Sequence, residues 1–283
     1  MPPIPTLTLN NGHTIPHIGF GVFQVPPDQV IEPVETALEA GYRLIDTAAA
    51  YRNEDGVGKA LANSGIDRDE LFITTKLWNA DHGFDNALRA FDASLSKLGL
   101  DVVDLYLIHW PTPARGDIVE TWKALEKIYA EGRARSIGVS NFTIHHLNRL
   151  RSEATIVPAV NQIELHPRFP QDELRAYHQE HQIATEAWSP IGQGQGLLDD
   201  PTVKSVAEAH GKSPAQAVLR WHLQLGNSGH VVIPKSVTPQ RIRENLEVFD
   251  FELDDGEMAM LSSLSSHDKG GRIGPDPDHF NAT

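Results

Sequence analysis

Short apolar runs rich in β-branched residues alternate with amphipathic stretches along almost the whole chain. Eight of these runs are strand candidates, at residues 18–21, 43–46, 72–76, 104–109, 136–140, 159–164, 183–189 and 231–235. Between them, apolar residues recur at three- and four-residue spacing, most clearly at 85–98 and 119–130, which predicts amphipathic helices. Strands that alternate with helices indicate right-handed βαβ units and a parallel sheet. Eight such units favour an α/β fold of the closed (β/α)8 TIM barrel type over an open sheet.

The two ends of the chain depart from this alternation. Residues 7–15 alternate around Asn11-Gly12, which predicts a β-hairpin ahead of the first barrel strand. Gly, Pro and Asp concentrate near the C-terminus and predict an irregular tail there. No linker, fixed repeat or low-complexity segment interrupts the chain. We therefore expect a single barrel domain over residues 1–283, with the hairpin in 1–16 and the tail in 266–283.

The composition excludes several classes of protein. Of the 283 residues, 40% are apolar and 22% are charged, which is ordinary globular usage and excludes a disordered or collagen-like chain. There are 24 Lys and Arg against 38 Asp and Glu, so the net charge of −14 repels phosphate backbones and argues against a nucleic-acid partner. The chain has no cysteine, which excludes disulfides and thiolate metal sites and fits a reducing compartment. No signal peptide and no membrane span are evident, so we expect a cytoplasmic protein without a membrane partner.

Residues suited to chemistry follow the predicted strands at their C-terminal ends, where barrels of this kind place their active sites. In chain order these residues are Asp46, Tyr51, Lys76, Trp78, His109, Trp110, Ser140, Asn141, Gln162, Trp188, Ser189, Lys235 and Ser236. Each alone has an ordinary explanation, as a helix cap, a solvated charge or a packed ring. Their convergence on one rim is difficult to explain by coincidence and predicts an active site there.

A phosphate-bearing ligand is suggested by a local basic group in this acidic chain. Lys235, Ser236 and Arg241 follow the last strand, next to the start of a helix that Thr238 can cap and that is predicted to run to Phe249. No Gly-x-Gly-x-x-Gly joins a strand to a helix, so a Rossmann domain is not indicated. The glycine-rich loop at 192–197 can fold over a pyrophosphate, although a plain flexible loop explains it equally well.

Six ordered motifs carry a resemblance to a known family. They are GYRLIDTAAAY at 41–51, ITTKLW at 73–78, DLYLIHWP at 104–111, IGVSNF at 137–142, VNQIELHP at 160–167 and IPKSVTPQRIRENL at 233–246. Over nearly its whole length the chain resembles the aldo-keto reductases. Trp188 and the segments at 213–222 and 270–280 are most similar to the bacterial 2,5-diketo-D-gluconate reductase branch. The resemblance implies a monomer that reduces aldehydes and ketones (small carbonyls, α-dicarbonyls or keto-sugars) to alcohols with NADPH.

The resemblance also implies a catalytic tetrad of Asp46, Tyr51, Lys76 and His109. Tyr51 would protonate the carbonyl oxygen as general acid, although an unperturbed tyrosine has a pKa near 10. The Lys76 ammonium would lower that pKa, and Asp46 would hold Lys76 charged and oriented. His109 would orient the carbonyl oxygen. Phe23, Trp78 and Trp110 would add apolar walls to a substrate pocket shared with Tyr51 and His109.

Cofactor contacts follow from the same resemblance. Ser140, Asn141 and Gln162 would hold the nicotinamide carboxamide, and Trp188 would stack on the ring, where relatives more often carry Tyr or Phe. Lys235, Ser236 and Arg241 would bind the 2′-phosphate. The remaining contacts would come from Gly21, Val22, Asp46, Ser189, Gly196, Leu197, Ile233, Val237, Thr238, Glu244 and Asn245, of which Glu244 and Asn245 would face the adenine.

Two rival functions stay open at this level. One is a Schiff-base aldolase with Lys76 as nucleophile, which leaves Tyr51, His109 and the basic group unexplained together. The other is an NADPH-binding regulatory subunit with slow turnover. A metal site among the histidines is disfavoured, because no carboxylate–histidine spacing supports it. The physiological substrate is not identified, since the loops at 79–84, 113–117 and 270–283 shape the pocket and vary within the family.

Overall fold

A computed structural model describes residues 4–226, 230–266 and 271–283 of the chain. An antiparallel hairpin comes first, with β1 at Thr6–Thr8 and β2 at Thr14–Pro16. The eight barrel strands follow as β3 Phe20–Gly21, β4 Leu44–Asp46, β5 Phe72–Leu77, β6 Val103–Ile108, β7 Ala134–Ser140, β8 Val160–Glu164, β9 Ala184–Trp188 and β10 Val231–Val232. Each corresponds to one of the eight predicted strands.

The eight strands close into a parallel barrel. Neighbours in the sheet are also neighbours in sequence, from β3 to β10. The first and last strands then meet through a parallel bridge between Ile18 and Val232. At this seam Val232 N donates to the carbonyl of His17 at 2.9 Å, and Gly19 N donates to the carbonyl of Val232 at 2.8 Å. A Cβ at Gly19 would lie 2.3 Å from Leu44 Cγ, so only glycine permits this close approach. The predicted closed barrel is confirmed.

Ten helices surround the barrel in the described part of the chain. They are α1 Ile31–Ala40, α2 Glu54–Asn63, α3 Phe84–Leu98, α4 Ile118–Ala130, α5 Ile144–Glu153, α6 Asp172–Glu180, α7 Pro201–Ala209, α8 Pro214–Gln224, α9 Pro239–Glu244 and α10 Asp255–Ser262. The amphipathic stretches predicted at 85–98 and 119–130 are α3 and α4. They bury Phe91 and Trp122 completely, because the apolar stripe of each helix faces the sheet.

The prediction for α9 is wrong in two respects. The helix ends at Glu244 rather than continuing to Phe249. Beyond it, Leu246 N donates to the carbonyl of Arg243, three residues earlier, which is a tighter turn than that of an α-helix. The apolar residues after Glu244 therefore keep their helical spacing although the chain there is not an α-helix. Thr238 stands at the N-cap but makes no side-chain capping bond. Instead, Ser236 Oγ accepts a hydrogen bond of 3.1 Å from Thr238 N.

The N-terminal hairpin closes one end of the barrel. Leu9 and Ile15 are buried in the same apolar cluster as Leu44 and Phe72 of the barrel strands. Asn11 Nδ2 donates to Ser136 Oγ at 3.0 Å, which ties the hairpin turn to β7. This end is therefore sealed, and the rim at the C-terminal ends of the strands is the end available for ligands.

Residues 271–283 contain no helix or strand and lie against that rim. Residues 267–270 of the predicted tail lie outside the described residues. No described helix combines the length and the apolar character that crossing a bilayer requires.

Candidate active site

A buried ion pair lies inside the barrel, just below the rim at the C-terminal ends of the strands. Asp46 ends β4 and Lys76 lies in β5, and their Oδ1 and Nζ atoms are 2.6 Å apart. Lys76 Nζ also donates to the carbonyl of Thr47 at 2.9 Å. Both side chains are withdrawn from solvent, at 0% exposure for Lys76 and 1% for Asp46. Each charge compensates the other, and neither has freedom to reorient.

Tyr51 and His109 complete the cluster that the motifs predict. Tyr51 lies in the 3-10 turn Ala49–Tyr51 that follows β4. Its ring centroid is 5.1 Å from Lys76 Nζ. The rings of Tyr51 and His109 meet edge to face, with centroids 5.7 Å apart. All four predicted tetrad residues therefore lie in one place on the rim.

Lys76 lowers the pKa of Tyr51 as predicted, but a larger opposing effect of burial was not foreseen. Burial raises the pKa of Tyr51 above its ordinary value, and the Lys76 charge opposes this only partly. Burial also lowers the pKa of Lys76, but the Asp46 carboxylate and Tyr51 outweigh it and the net shift is upward. Burial raises the pKa of Asp46, against the Lys76 ammonium. Lys76 is thus a firmly held cation, and Tyr51 carries its phenolic proton at neutral pH.

His109 is a neutral imidazole. Burial, followed by the Lys76 charge, holds its pKa well below the usual range for histidine. Its Nδ1 is buried and has no hydrogen-bond partner among the described residues. Asn141 Nδ2 donates to the carbonyl of His109 at 3.0 Å and fixes the backbone beside the ring. A neutral imidazole here can donate one N–H to an oxygen without adding charge.

The predicted nicotinamide contacts are linked to one another. Asn141 Oδ1 accepts from Trp188 Nε1 at 2.8 Å, which holds the indole in place. Asn141 Nδ2 also donates to Ser140 Oγ at 3.1 Å, and Ser140 Oγ donates to the carbonyl of Gln162 at 2.8 Å. Asn141 adopts a left-handed backbone with φ of 63°. The Asn141 amide is therefore engaged in hydrogen bonds within the protein, which connect the ends of β6 and β7 with Trp188.

Glu186 is a site residue that the sequence analysis missed. It lies on β9 and is 0% exposed. Gln162 Nε2 donates to Glu186 Oε2 at 2.9 Å and to Asp46 Oδ2 at 2.8 Å. Burial, followed by the Asp46 charge, raises the pKa of Glu186 to about 8. A glutamate inside the strand motif ATEAW was the available signal.

The proposed 2′-phosphate contacts lie on the surface. Lys235 and Arg241 are exposed, and neither makes an ion pair with any described residue. Because α9 has only six residues, these cations, rather than a helix N-terminus, supply the attraction for an anion. Val237 is 52% exposed beside them, and Thr238 is also exposed.

The other predicted cofactor contacts differ in how accessible they are to a ligand. They are Gly21, Val22, Ile233, Glu244 and Asn245. Glu244 Oε1 accepts from Gln240 Nε2 at 2.6 Å, while Asn245 and Ile233 are buried at 5% and 6% exposure. Gly21 lies against the end of β10, since a Cβ there would be 3.0 Å from the carbonyl oxygen of Ile233. Val22 is fully buried and its backbone N and O bond within the protein. The structure therefore does not bring Val22 to an open face.

The glycine-rich loop after β9 is held in place by an arginine. Arg168 Nη1 donates to the carbonyl of Gln195 at 3.0 Å, and Nη2 donates to that of Gly196 at 3.4 Å. Gly196 has φ of 75°, and Leu197 is buried. Ser189 Oγ donates to Gln193 Oε1 at 3.4 Å at the start of the loop. The loop is thus anchored at both ends beside Trp188.

Aromatic side chains wall the space above the tetrad. The ring centroids of Phe23 and Tyr51 are 5.2 Å apart, and those of Trp78 and His109 are 5.4 Å apart. Phe23 is 46% exposed and marks the open side. Trp110 is buried, and its ring centroid lies 4.4 Å from that of Phe280 in the tail. From the sequence, Phe280 was predicted only as part of the variable tail at 270–283.

The tail is anchored to the rim by a buried glutamate and by the loop at Asn79. Glu164 at the end of β8 accepts hydrogen bonds from Ile273 N at 2.5 Å and Gly274 N at 2.8 Å. A Cβ at Gly274 would lie 2.4 Å from Trp188 Cη2, so the tail passes directly over the indole edge. Further along, Asn79 Nδ2 donates to the carbonyl of Ala282 at 2.7 Å. Segments from the predicted variable loops thus meet around one pocket.

The arrangement suits reduction of a carbonyl group. A phenol that keeps its proton, a cation beside it and a neutral imidazole can together protonate an oxygen that gains negative charge. Two exposed cations, Lys235 and Arg241, lie at the far end of the same rim and suit an anionic ligand. The fold and the site together therefore define a barrel oxidoreductase that uses a phosphorylated cofactor.

Comparisons with known proteins agree with this class. Residues 17–266 match the profile of the Aldo/keto reductase family. The methylglyoxal reductase DkgA of Escherichia coli (strain K12) is 52% identical over 275 residues, which cover 97% of this chain and 97% of that protein. Morphine 6-dehydrogenase of Pseudomonas putida is 52% identical over 285 residues, covering 96% of this chain and 94% of that protein. A crystal structure of a Gox0644 mutant in complex with NADPH superimposes with a TM-score of 0.92 at 49% identity, covering 98% of each chain.

The chain belongs to the aldo/keto reductase family. This membership confirms the prediction of an oxidoreductase that reduces carbonyl compounds with NADPH. It supports neither the Schiff-base aldolase nor the regulatory subunit.

Proposed function

We propose that Asp46, Tyr51, Lys76 and His109 are the catalytic residues of an NADPH-dependent carbonyl reductase. One observation carries the assignment: the buried Lys76–Asp46 pair, closed at 2.6 Å, lies beside the Tyr51 ring. An ion pair that only stabilised the fold would not require a phenol and a neutral imidazole beside it. The four side chains together can donate a proton at a place where the Lys76 and Asp46 charges already compensate each other.

The chain's own residues control the proton and the substrate oxygen. The neutral His109 donates a hydrogen bond to the carbonyl oxygen and orients it. Tyr51 then gives its proton to that oxygen as negative charge develops there. Lys76 stabilises the phenolate left on Tyr51, and Asp46 keeps Lys76 charged and in place. NADPH, when bound, supplies the hydride for the carbonyl carbon.

The residues present fit this cofactor at both of its ends. At the nicotinamide end, Gln162 Oε1 receives no hydrogen bond from a described residue and can accept one from a carboxamide, next to Ser140, Asn141 and Trp188. At the far end, Lys235 and Arg241 are exposed cations suited to the 2′-phosphate. Other residues around the cofactor would be Gly21, Asp46, Ser189, Gly196, Leu197, Ile233, Ser236, Val237, Thr238, Glu244 and Asn245.

The substrates we propose are small aldehydes, α-dicarbonyls and keto-sugars. Phe23, Trp78, Trp110 and Phe280 give the pocket apolar walls around the polar Tyr51–His109 floor. Such a pocket holds a compact carbonyl compound with its oxygen toward the floor. The relative named methylglyoxal reductase, at 52% identity, supports the α-dicarbonyl class.

A steady-state screen tests this function. Purified protein is assayed with methylglyoxal, simple aldehydes and keto-sugars, each with NADPH and with NADH. We expect NADPH oxidation with at least one of these classes. Borohydride added with substrate would trap an imine on Lys76 if the protein were a Schiff-base aldolase. A covalent adduct on Lys76 together with no NADPH oxidation would contradict the proposal.

We also propose a cytoplasmic monomer that binds neither nucleic acid nor membranes. The net charge of −14 and the absence of cysteine support this placement. Sedimentation velocity of the purified chain should give a species close to its mass of 31.2 kDa. A stable dimer at micromolar concentration would contradict the monomer.

A further inference from the structure

Glu186 is a buried carboxyl group that the tetrad does not employ. It is completely inside the barrel, and its Oε2 accepts a hydrogen bond of 2.9 Å from Gln162 Nε2. Its other oxygen, Oε1, is buried and has no hydrogen-bond partner in the described part of the chain. Burying such a group costs free energy, and an apolar residue would pack there without that cost. The position therefore calls for a role beyond packing.

The amide of Gln162 is held in one orientation by two carboxyl groups. Its nitrogen donates to Asp46 Oδ2 at 2.8 Å and to Glu186 Oε2 at 2.9 Å, so both N–H groups are engaged. Turning the amide over would place its carbonyl oxygen against Asp46 Oδ2, which can only accept, and against the Glu186 oxygen that accepts from Gln162 here. The carbonyl oxygen must then point away from both carboxyls. No described residue donates a hydrogen bond to it.

We propose that Glu186 is a positioning residue that, with Asp46, fixes the Gln162 amide so that Oε1 faces the cofactor's carboxamide. The inference rests on the proposed function, because it requires a nicotinamide cofactor beside Gln162. The free carboxamide NH₂ donates to Oε1 and thereby aligns the nicotinamide ring with Tyr51. Without Glu186, one N–H of Gln162 loses its acceptor and the amide regains rotational freedom.

The charge of Glu186 also matters to Tyr51. Asp46 on β4 and Lys76 on β5 are the charged groups that face it, while β8 contributes the neutral Gln162 and β10 pairs Val231 with Glu186 in register. Burial, followed by Asp46, raises the pKa of Glu186, so at neutral pH it is an uncharged acid and Lys76 balances Asp46 alone. When Glu186 ionises, its negative charge raises the pKa of Tyr51 further and weakens it as an acid.

Equilibrium binding tests the orientation without turnover. NADP⁺ is compared with its 3-acetylpyridine analogue, in which a methyl group replaces the carboxamide NH₂, on wild type, Glu186→Ala and Glu186→Gln. Wild type should favour NADP⁺ by roughly three- to tenfold, the equivalent of one hydrogen bond. Glu186→Ala should bring the ratio close to one. Glu186→Gln keeps an acceptor oxygen for Gln162 and should retain the wild-type ratio.

Glu54→Gln is the matched control. Glu54 is equally buried, and its Oε1 accepts from Thr75 Oγ1 at 2.7 Å, away from Gln162. This variant should keep the wild-type ratio. A wild-type ratio in Glu186→Ala would overturn the inference and leave the proposed function intact. A wild type that binds neither nucleotide would refute the proposed function itself.

The pH profile of Glu186→Gln provides an independent test should Glu186→Ala not fold. The wild-type turnover at saturating NADPH should fall as the pH rises through about 8, where Glu186 ionises. Glu186→Gln cannot ionise, so this fall should move to higher pH. A merely structural role would lower stability and leave the profile unchanged. An unchanged profile in Glu186→Gln would overturn the charge argument, and a binding ratio near one in this variant, which keeps the acceptor oxygen, would overturn the positioning role.

Discussion

The two ends of the proposed cofactor cleft differ in the burial and the pairing of their charged side chains. At the nicotinamide end, Lys76 and Asp46 are buried and paired at 2.6 Å. At the 2′-phosphate end, Lys235 and Arg241 are exposed and unpaired among the described residues. Buried, oriented charges stabilise a transition state without reorganising. Exposed cations attract a ligand but are screened by salt. We therefore expect the first end to govern the rate of reduction and the second end to govern the choice of cofactor.

The largest effect is expected at the buried end. Tyr51→Phe removes the proton donor and keeps the ring against Phe23 and His109. Carbonyl reduction should fall by roughly 10²- to 10⁴-fold, the usual contribution of a general acid. The Kd for NADPH, followed by protein fluorescence, should stay within about threefold of wild type, because one hydrogen bond at most is lost. Wild-type turnover in Tyr51→Phe would remove it from the catalytic residues.

A smaller effect is expected at the exposed end, where a substitution should change cofactor binding rather than the rate of reduction. Arg241→Ala should weaken NADPH binding by roughly ten- to a hundredfold, because a charge-assisted hydrogen bond contributes about 1.5–3 kcal/mol. NADH lacks the 2′-phosphate, so its Kd should hardly change. The loss should shrink as salt rises. Kd values for both cofactors at low and high salt check this, with Arg243→Ala on the same helix as the matched control. Equal losses for NADPH and NADH would show that Arg241 does not contact the 2′-phosphate.

The last effect is on stability rather than on chemistry, and it concerns buried histidines of the outer helices α6 and α8. Burial lowers the pKa of His178 to about 3 and that of His222 to about 3. The folded state therefore binds fewer protons than the unfolded state below about pH 6.5, and acid favours unfolding. At pH 5 each such histidine should lower the free energy of unfolding by about 2 kcal/mol.

Urea titrations at pH 7 and pH 5 measure that loss. His178 accepts from Asn161 Nδ2 at 2.9 Å and contacts Thr185 Oγ1 at 2.9 Å, so His178→Gln retains polar partners without titrating. The variant should lose less stability than wild type between pH 7 and pH 5. An equal loss in both proteins would show that His178 does not cause the acid sensitivity.

The fold was largely predictable because its signals are local. Strand and helix periodicity gives the eight barrel strands, α3 and α4. The end of α9 was not predictable, because Leu246 stays apolar and buried in a turn as it would in a helix. The apolar pattern of a segment shows which secondary structure that segment favours. Tertiary packing determines where helix α9 ends.

The candidate site shows the same division. The motifs named Asp46, Lys76 and His109, which the structure brings together. Glu186 escaped notice because its importance depends on Gln162 and Asp46, and the last two are 116 residues apart in sequence. The net pKa shift of Tyr51 depends on burial, which no motif reports.

The central claim is that Tyr51 and Lys76 act on one proton transfer. Single-turnover reduction of a substrate by pre-bound NADPH, measured for wild type, Tyr51→Phe, Lys76→Met and the double variant, tests it most directly. We predict losses of similar size in the two single variants and almost no further loss in the double variant, because either change disables the same step. Losses that multiply in the double variant would show that the two residues act independently and would contradict the account.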